Sequence, residues 1–152
     1  PKALPIGFRI ARMPAMRPLF NSFTPRSLVA KSVDQTLSVK SVINDDMVSR
    51  YYDLLLYPGN RQATGDRQDV FAKRNQATRA AMATIKVPTL ILWGDEDALV
   101  PVSAADWFAK AIPGARKIIY KGIGHIPMEE VPDQSAADVA AFMDGLAIGE
   151  PK

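Results

Sequence analysis

The sequence predicts an α/β protein in which a mostly helical segment precedes a βαβα unit from the edge of a parallel sheet. Three observations lead to this fold class. The composition changes near residue 84, a continuous apolar run follows at Thr89 to Trp93, and a second strand pattern at 117–120 comes after a helical stripe. Strand and helix alternating with short connections is typical of a parallel sheet with a right-handed crossover. We therefore expect two parts, residues 1–83 and residues 84–152.

The composition limits the classes of function. A chain of 152 residues with 47% hydrophobic residues has the size of one globular domain with a core. The net charge is +3 and the basic residues are scattered, so we expect no nucleic-acid partner. With no cysteine and one histidine, disulfides and thiolate or histidine-rich metal sites are excluded, and we expect no cofactor. No apolar run reaches the roughly 18 residues of a membrane span. The compartment stays unknown, with the cytoplasm as the default.

The first part begins with a proline-rich stretch. Residues 1–27 show no sustained period, and we expect an irregular arm with at most short helical pieces. Thr24 followed by Pro25 predicts a helix start, with the hydroxyl as N-cap and proline at the first helical position. Leu28, Val29, Ser32 and Val33 then form a short helical stripe.

Two further helices are expected in the first part. Asn44 is a plausible N-cap, because two aspartates occupy the favourable first turn after it. Pro58 and Gly59 should end that helix. Asp66 is a candidate cap for a third helix that runs to about Met82.

The second part reads as strand, helix, strand and helix. The apolar run at 89–93 lies between a proline and a glycine, which favours a strand buried on both faces. Ser103 with Asp106 matches a capping box, and the helix that follows should stop at Pro113–Gly114. Lys117 to Tyr120 is the next strand pattern, and Pro132 should open the last helix.

Two parallel strands are too few for a sheet that is buried on both faces. We therefore expect the rest of the sheet to lie outside this chain, and the apolar side chains of the strands to seek cover. Leu90, Leu92, Ile118 and Tyr120 are the residues that we expect to be exposed. The sequence thus predicts a homo-oligomer or a swapped dimer formed through the exposed sheet edge.

Candidate catalytic side chains follow both predicted strands. Asp95, Glu96 and Asp97 come directly after the first strand, and His125 lies in a glycine-flanked loop after the second. The carboxyl ends of neighbouring parallel strands emerge side by side, so an acid and the imidazole could meet there. We favour Asp97 as the partner, because Asp95 adjoins Gly94 and is suited to closing the turn. A carboxylate can hold an imidazole in one tautomer and stabilise its protonated form.

The second part closely resembles the C-terminal part of the α/β-hydrolase superfamily. The matching stretches are VPTLILWGDEDALVP and AIPGARKIIYKGIGHIPMEEVPDQ. In the family pattern a strand ends in glycine, the triad acid follows three residues later and a proline comes next, as Gly94, Asp97 and Pro101 do. The catalytic histidine lies in Gly-His followed by Pro and Glu, which His125 fits. The resemblance implies that residues 1–83, with LVAKSVDQ and RYYDLLLYPGNRQAT, form a helical cap and that residues 84–152 belong to the core.

The resemblance also implies a nucleophile that precedes the cap, on a Gly-x-Ser-x-Gly turn. None of the serines of this chain lies in such a motif. The chain begins at Pro1, and we expect a truncated piece whose parent enzyme has its nucleophile upstream, so that the chain alone should be inactive.

The expected activity is hydrolysis of an ester or related acyl bond in a small-molecule substrate, through a triad of nucleophile, His125 and Asp97. Serine is the favoured nucleophile, as in esterases. An aspartate nucleophile would imply a dehalogenase or an epoxide hydrolase; the latter use cap tyrosines, and Tyr51, Tyr52 and Tyr57 are present. A further alternative is a non-catalytic module that keeps the fold and associates through its sheet edge.

Overall fold

A computed structural model describes residues 5–73 and 79–147 of the chain. The helices are α1 (Ile6–Ala11), α2 (Arg17–Ser22), α3 (Arg26–Thr36), α4 (Asp45–Leu56), α5 (Asn60–Lys73), α6 (Arg79–Ala83), α7 (Ser103–Ala111), α8 (Pro127–Glu130) and α9 (Pro132–Ala147), with 3₁₀ turns at Pro14–Met16 and Lys40–Val42. The strands are β1 (Leu90–Gly94) and β2 (Arg116–Tyr120). This order confirms a helical segment followed by a βαβα unit.

The start of α3 differs from its prediction. The helix begins at Arg26, but the Thr24 hydroxyl donates to the carbonyl of Phe20 at 2.7 Å and caps nothing. This hydrogen bond gives a partner to a carbonyl in the last turn of α2, where the final carbonyls have no acceptor role within the helix. The short helices α1 and α2 agree with the expected short helical pieces within the described part of residues 1–27.

The helix α4 begins as predicted. The Asn44 side chain accepts a hydrogen bond from the N–H of Met47 at 2.8 Å. The helix stops before Pro58–Gly59, where Gly59 has a φ of +86° that L residues rarely adopt. The prediction that Asp66 is an N-cap is wrong, because Asp66 lies inside α5. The predicted continuation of that helix across residues 74–78 lies outside the described residues.

The helices α3 and α4 enclose a small apolar core. Val29, Val33, Leu37 and Met47 are each less than a tenth exposed and pack together. Partly buried side chains that follow α3 or lie on α4 surround them, among them Val42, Ile43, Tyr51, Tyr52 and Leu55. The first part of the chain therefore has a hydrophobic cluster of its own, with helix-on-helix packing.

The strands β1 and β2 pair in parallel, as the sequence predicts. The register places Leu90 opposite Arg116 and Gly94 opposite Tyr120. The connecting helix α7 packs on β1 through the Trp93 and Phe108 rings, whose centroids are 6.4 Å apart. Its predicted capping box is wrong, because Val102 occupies the N-cap position and no side chain caps the helix. The helix α9 begins at Pro132, as expected.

The described residues form a sheet of two strands. Leu90, Leu92 and Ile118 are half-buried, whereas Ile119 is 36% exposed. The expectation that Tyr120 is exposed is wrong: it is 3% exposed, and its hydroxyl donates to Asp138 of α9 at 2.8 Å. No described helix is both long and apolar enough to cross a bilayer.

Candidate active site

Backbone hydrogen bonds join the loops that follow β1 and β2. The N–H of Asp95 donates to the carbonyl of Tyr120 at 3.0 Å, and the N–H of Glu96 donates to the carbonyl of Ile123 at 2.9 Å. The Asp95 carboxylate accepts from the N–H of Gly122 at 2.6 Å. These bonds extend the pairing of the two strands into their loops, so the loops stay side by side.

Gly94 allows the loops to come this close. A Cβ atom at this position would lie 2.1 Å from the carbonyl oxygen of Gly124 and 2.2 Å from that of Ile123. Real Cβ atoms essentially never show such contacts. The glycine that ends β1 is therefore required by the approach of the second loop.

Asp97 and His125 meet at the carboxyl ends of the strands. Asp97 Oδ2 lies 2.8 Å from His125 Nδ1. The Asp97 side chain is 3% exposed and the His125 side chain 36% exposed, so a buried carboxylate holds a partly accessible imidazole. With a proton on Nδ1 shared with the carboxylate, Nε2 is left as an acceptor. The arrangement can take up a proton from a bound group.

The other two acids of the loop do not meet His125. Asp95 bonds to the Gly122 N–H, so it joins the two loops rather than closing its own turn. Asp97 itself closes the turn: its Oδ1 accepts from the N–H groups of Leu99 and Val100 at 2.7 and 2.9 Å. Glu96 is exposed.

The segment that follows α3 lies against the loop of His125. The His125 N–H donates to the carbonyl of Thr36 at 3.3 Å. Glu130, which is 4% exposed, accepts hydrogen bonds from the N–H groups of Ser38, Val39 and Gly124. Glu130 is the glutamate of the pattern in which Gly-His is followed by Pro and Glu, and no sequence signal predicts these contacts.

A second glutamate bonds to the helical segment through side chains. Glu129 accepts from the Tyr51 hydroxyl at 2.9 Å and from Arg50 at 2.7 Å, and both partners lie on α4. Burial and the hydrogen bond to Glu129 raise the pKa of Tyr51 to about 12. The neutral tyrosine is therefore retained as a donor at physiological pH.

A cavity of about 470 Å³ lies within the helical segment and reaches His125. Its lining is mainly apolar and comes from α1 to α5 and the two loops, including Phe8, Phe20, Leu28, Val29, Val33, Leu37, Leu54, Leu55, Ala63, Leu99 and Ile126. A cavity of this size accommodates a small organic molecule. The lining also includes polar residues, among them Ser32, Thr36, Asn60, Thr64 and Arg67, so the imidazole is one of several polar groups in it.

Comparison with known proteins gives a family match over most of the chain. A family model described as the alpha/beta hydrolase fold matches residues 13–132. Lipase 3 of Moraxella sp. (strain TA144) is 37% identical over 65 residues, which make up 43% of this chain and 21% of the lipase. Lipase 1 of Psychrobacter immobilis is 38% identical over 61 residues, or 40% of this chain and 19% of that protein.

Solved structures share the fold at lower identity. A putative lipase from Acinetobacter baumannii AYE has a TM-score of 0.72 and 20% identity, and the match covers 87% of this chain and 45% of that one. The matched residues thus span about a fifth of the length of the two curated lipases and less than half of the solved one.

Proposed function

Because this chain belongs to the alpha/beta hydrolase fold family, we propose that it is the C-terminal portion of an enzyme that hydrolyses esters or related acyl bonds. Residues 1–83 are its helical cap and residues 84–152 the end of its core. The observation that carries the proposal is the 2.8 Å contact between Asp97 Oδ2 and His125 Nδ1 at the ends of adjacent strands. The lipase relatives support the same class of reaction.

In the proposed mechanism His125 is the general base. Asp97 keeps the proton of the neutral imidazole on Nδ1, so that Nε2 can accept the proton of a serine supplied from outside these 152 residues. The serine oxygen attacks the acyl carbon, and the imidazolium then donates its proton to the leaving alcohol. His125 next activates a water molecule, which releases the acid from the acyl-enzyme. The chain alone is expected to be inactive.

The cavity indicates the substrate class. Its lining is mainly apolar and His125 lies at its wall, so an apolar acyl or alcohol group can occupy it while the ester bond stays near the imidazole. A small-molecule ester with one apolar group is therefore the proposed substrate.

An aspartate nucleophile, as in a dehalogenase or an epoxide hydrolase, is the alternative reaction. Tyr51 lines the cavity, as a cap tyrosine of such an enzyme would, but its hydroxyl already donates to Glu129. The ester proposal is preferred because it needs no change in that bond.

The test is an assay of the full-length protein with short p-nitrophenyl esters. His125→Ala and Asp97→Asn are each expected to lower kcat by about a thousandfold or more, as removal of a triad member does. Glu96→Gln is the matched control, because it makes the same carboxylate-to-amide change one residue away on an exposed side chain. Full activity in the His125→Ala variant would refute the proposal, as would an equal loss in Glu96→Gln.

A further inference from the structure

We infer that Glu130 is a positioning residue for His125: its buried carboxylate fixes the loop that carries the imidazole against the segment that follows α3. The inference rests on the proposed role of His125 as the base. Glu130 is the last residue of α8, and the whole residue is 4% exposed. A carboxylate is seldom buried this deeply unless it is paired or hydrogen-bonded.

One carboxylate oxygen receives three backbone donors. Glu130 Oε2 accepts from the N–H groups of Ser38 at 2.8 Å, Val39 at 2.9 Å and Gly124 at 3.1 Å. Gly124 directly precedes His125 in the loop of residues 121–126, here called the histidine loop. This oxygen therefore joins the histidine loop to the turn after α3. Hydrogen bonds to a charged acceptor are roughly twice as strong as neutral ones, which makes this junction stiff.

The same two segments are also joined by a hydrogen bond in which the histidine loop is the donor. The His125 N–H donates to the Thr36 carbonyl at 3.3 Å. A Cβ atom at Gly124 would lie 2.8 Å from Glu130 Oε1, the Ser38 nitrogen and the Thr36 oxygen. The histidine loop therefore has no room to move toward the helical segment, and Glu130 prevents it from moving away.

The second oxygen of Glu130 is left without a hydrogen bond. Oε1 is buried and has no partner among the described residues. A buried polar atom without a partner costs stability, and such costs are expected where function sets the arrangement.

Glu129 provides a matched control on the adjacent position. It also bonds across to the helical segment, but through the side chains of Tyr51 and Arg50. These side-chain bonds of Glu129 do not involve the loop that carries His125. A change at Glu129 therefore weakens the junction between the two parts of the chain without touching the backbone beside His125.

The experiment uses the full-length protein labelled with ¹⁵N, in which the His125 signals are identified as those that a His125→Ala variant lacks. The readouts are the imidazole ¹⁵N shifts, which report the tautomer, the downfield Nδ1 proton shared with Asp97, and hydrogen exchange at the Gly124 amide. Wild type, Glu130→Gln, Glu130→Ala and Glu129→Gln are compared, with circular dichroism as the check of folding.

We expect a single tautomer with an observable Nδ1 proton in wild type and in Glu129→Gln. In Glu130→Gln the Gly124 amide should exchange about tenfold faster, the effect of weakening a charge-assisted hydrogen bond. Glu130→Ala should exchange faster still, with the Nδ1 proton lost and the tautomers mixed.

Three results would overturn the inference. The first is unchanged His125 signals in both Glu130 variants, and the second is an equal change of these signals in Glu129→Gln. The third is that both Glu130 variants fail to fold while Glu129→Gln folds, which would assign Glu130 to stability alone. The readout needs no turnover. An ordered His125 signal in a full-length protein that lacks esterase activity would therefore count against the proposed function and leave the positioning role standing.

Discussion

Asp97 uses its two oxygens for different purposes. Oδ1 accepts from two N–H groups of its own turn, and Oδ2 faces His125 Nδ1. In Asp97→Asn the amide oxygen would stay with the two N–H donors, because an NH₂ group there would face donors. The NH₂ group would then face Nδ1 and favour the tautomer with the proton on Nε2, which cannot act as a base. This is the physical reason for the loss of activity expected in that variant.

Tyr51 gives a prediction about pH and stability. Its pKa is raised to about 12 from 10, mainly by burial and by the hydrogen bond to Glu129. The unfolded chain therefore releases this proton first as the pH rises, so the stabilisation is present below pH 10 and lost between about pH 10 and 12. At pH 8, Tyr51→Phe should lower the free energy of unfolding by about 1 kcal/mol, the net value of one such hydrogen bond.

The measurement is urea denaturation of wild type and Tyr51→Phe at pH 8 and pH 11. The difference between them should shrink at pH 11. Tyr57→Phe is the control, because Tyr57 is 69% exposed and should change little at either pH. A pH-independent difference for Tyr51→Phe would show that the loss comes from packing and not from the hydrogen bond to Glu129. Tyr120, whose pKa is also raised to about 12 by burial and Asp138, affects all variants alike.

Some contacts within the site can be predicted from the sequence and others cannot. The meeting of Asp97 and His125 could be predicted, because both are chemically distinctive and both directly follow strands that pair. The bonds of Glu130 could not, because its partners are backbone N–H groups 91 and 92 residues earlier and any residue type except proline supplies such a donor.

At the scale of the element, helix starts depend on which hydrogen bond a capping side chain makes. Asn44 accepts from the N–H of Met47, whereas Thr24 donates to the preceding helix and Ser103 lies inside α7. The three positions look alike in sequence because all carry a good capping residue. Only tertiary placement distinguishes them, since a hydroxyl can satisfy a nearby carbonyl instead.

These differences predict unequal costs of mutation. Asn44→Ala should lower the free energy of unfolding by about 1 kcal/mol, because the first turn of α4 loses its cap. Ser103→Ala should change stability by less than about 0.5 kcal/mol, because the exposed Ser103 caps nothing. Denaturant titration of both variants measures this, and equal losses would mean that the Asn44 bond contributes no stability.

At the scale of the molecule, the change in composition near residue 84 and the strand and helix patterns after it predict a helical segment followed by a βαβα unit. These patterns do not predict the cavity, because its walls come from five helices and two loops whose relative placement no local pattern encodes. The sequence does not predict the burial of Tyr120 for a similar reason: its cover is α9, whose Asp138 accepts a hydrogen bond from the Tyr120 hydroxyl.

The apolar surface of the βαβα unit predicts that the chain self-associates through its exposed sheet edge. Ile119 on β2 is 36% exposed, and on α9 Val139 and Met143 are 43% and 57% exposed. An unpaired strand beside apolar side chains favours pairing with a second copy, so light scattering should give a mass above that of the 16.6 kDa monomer. Ile119→Lys should shift the chain toward the monomer, because a charge on the strand opposes pairing. Met13→Lys is the control, since Met13 is 53% exposed but lies in the helical segment. A folded monomer of the wild-type chain at every concentration tested would contradict this prediction.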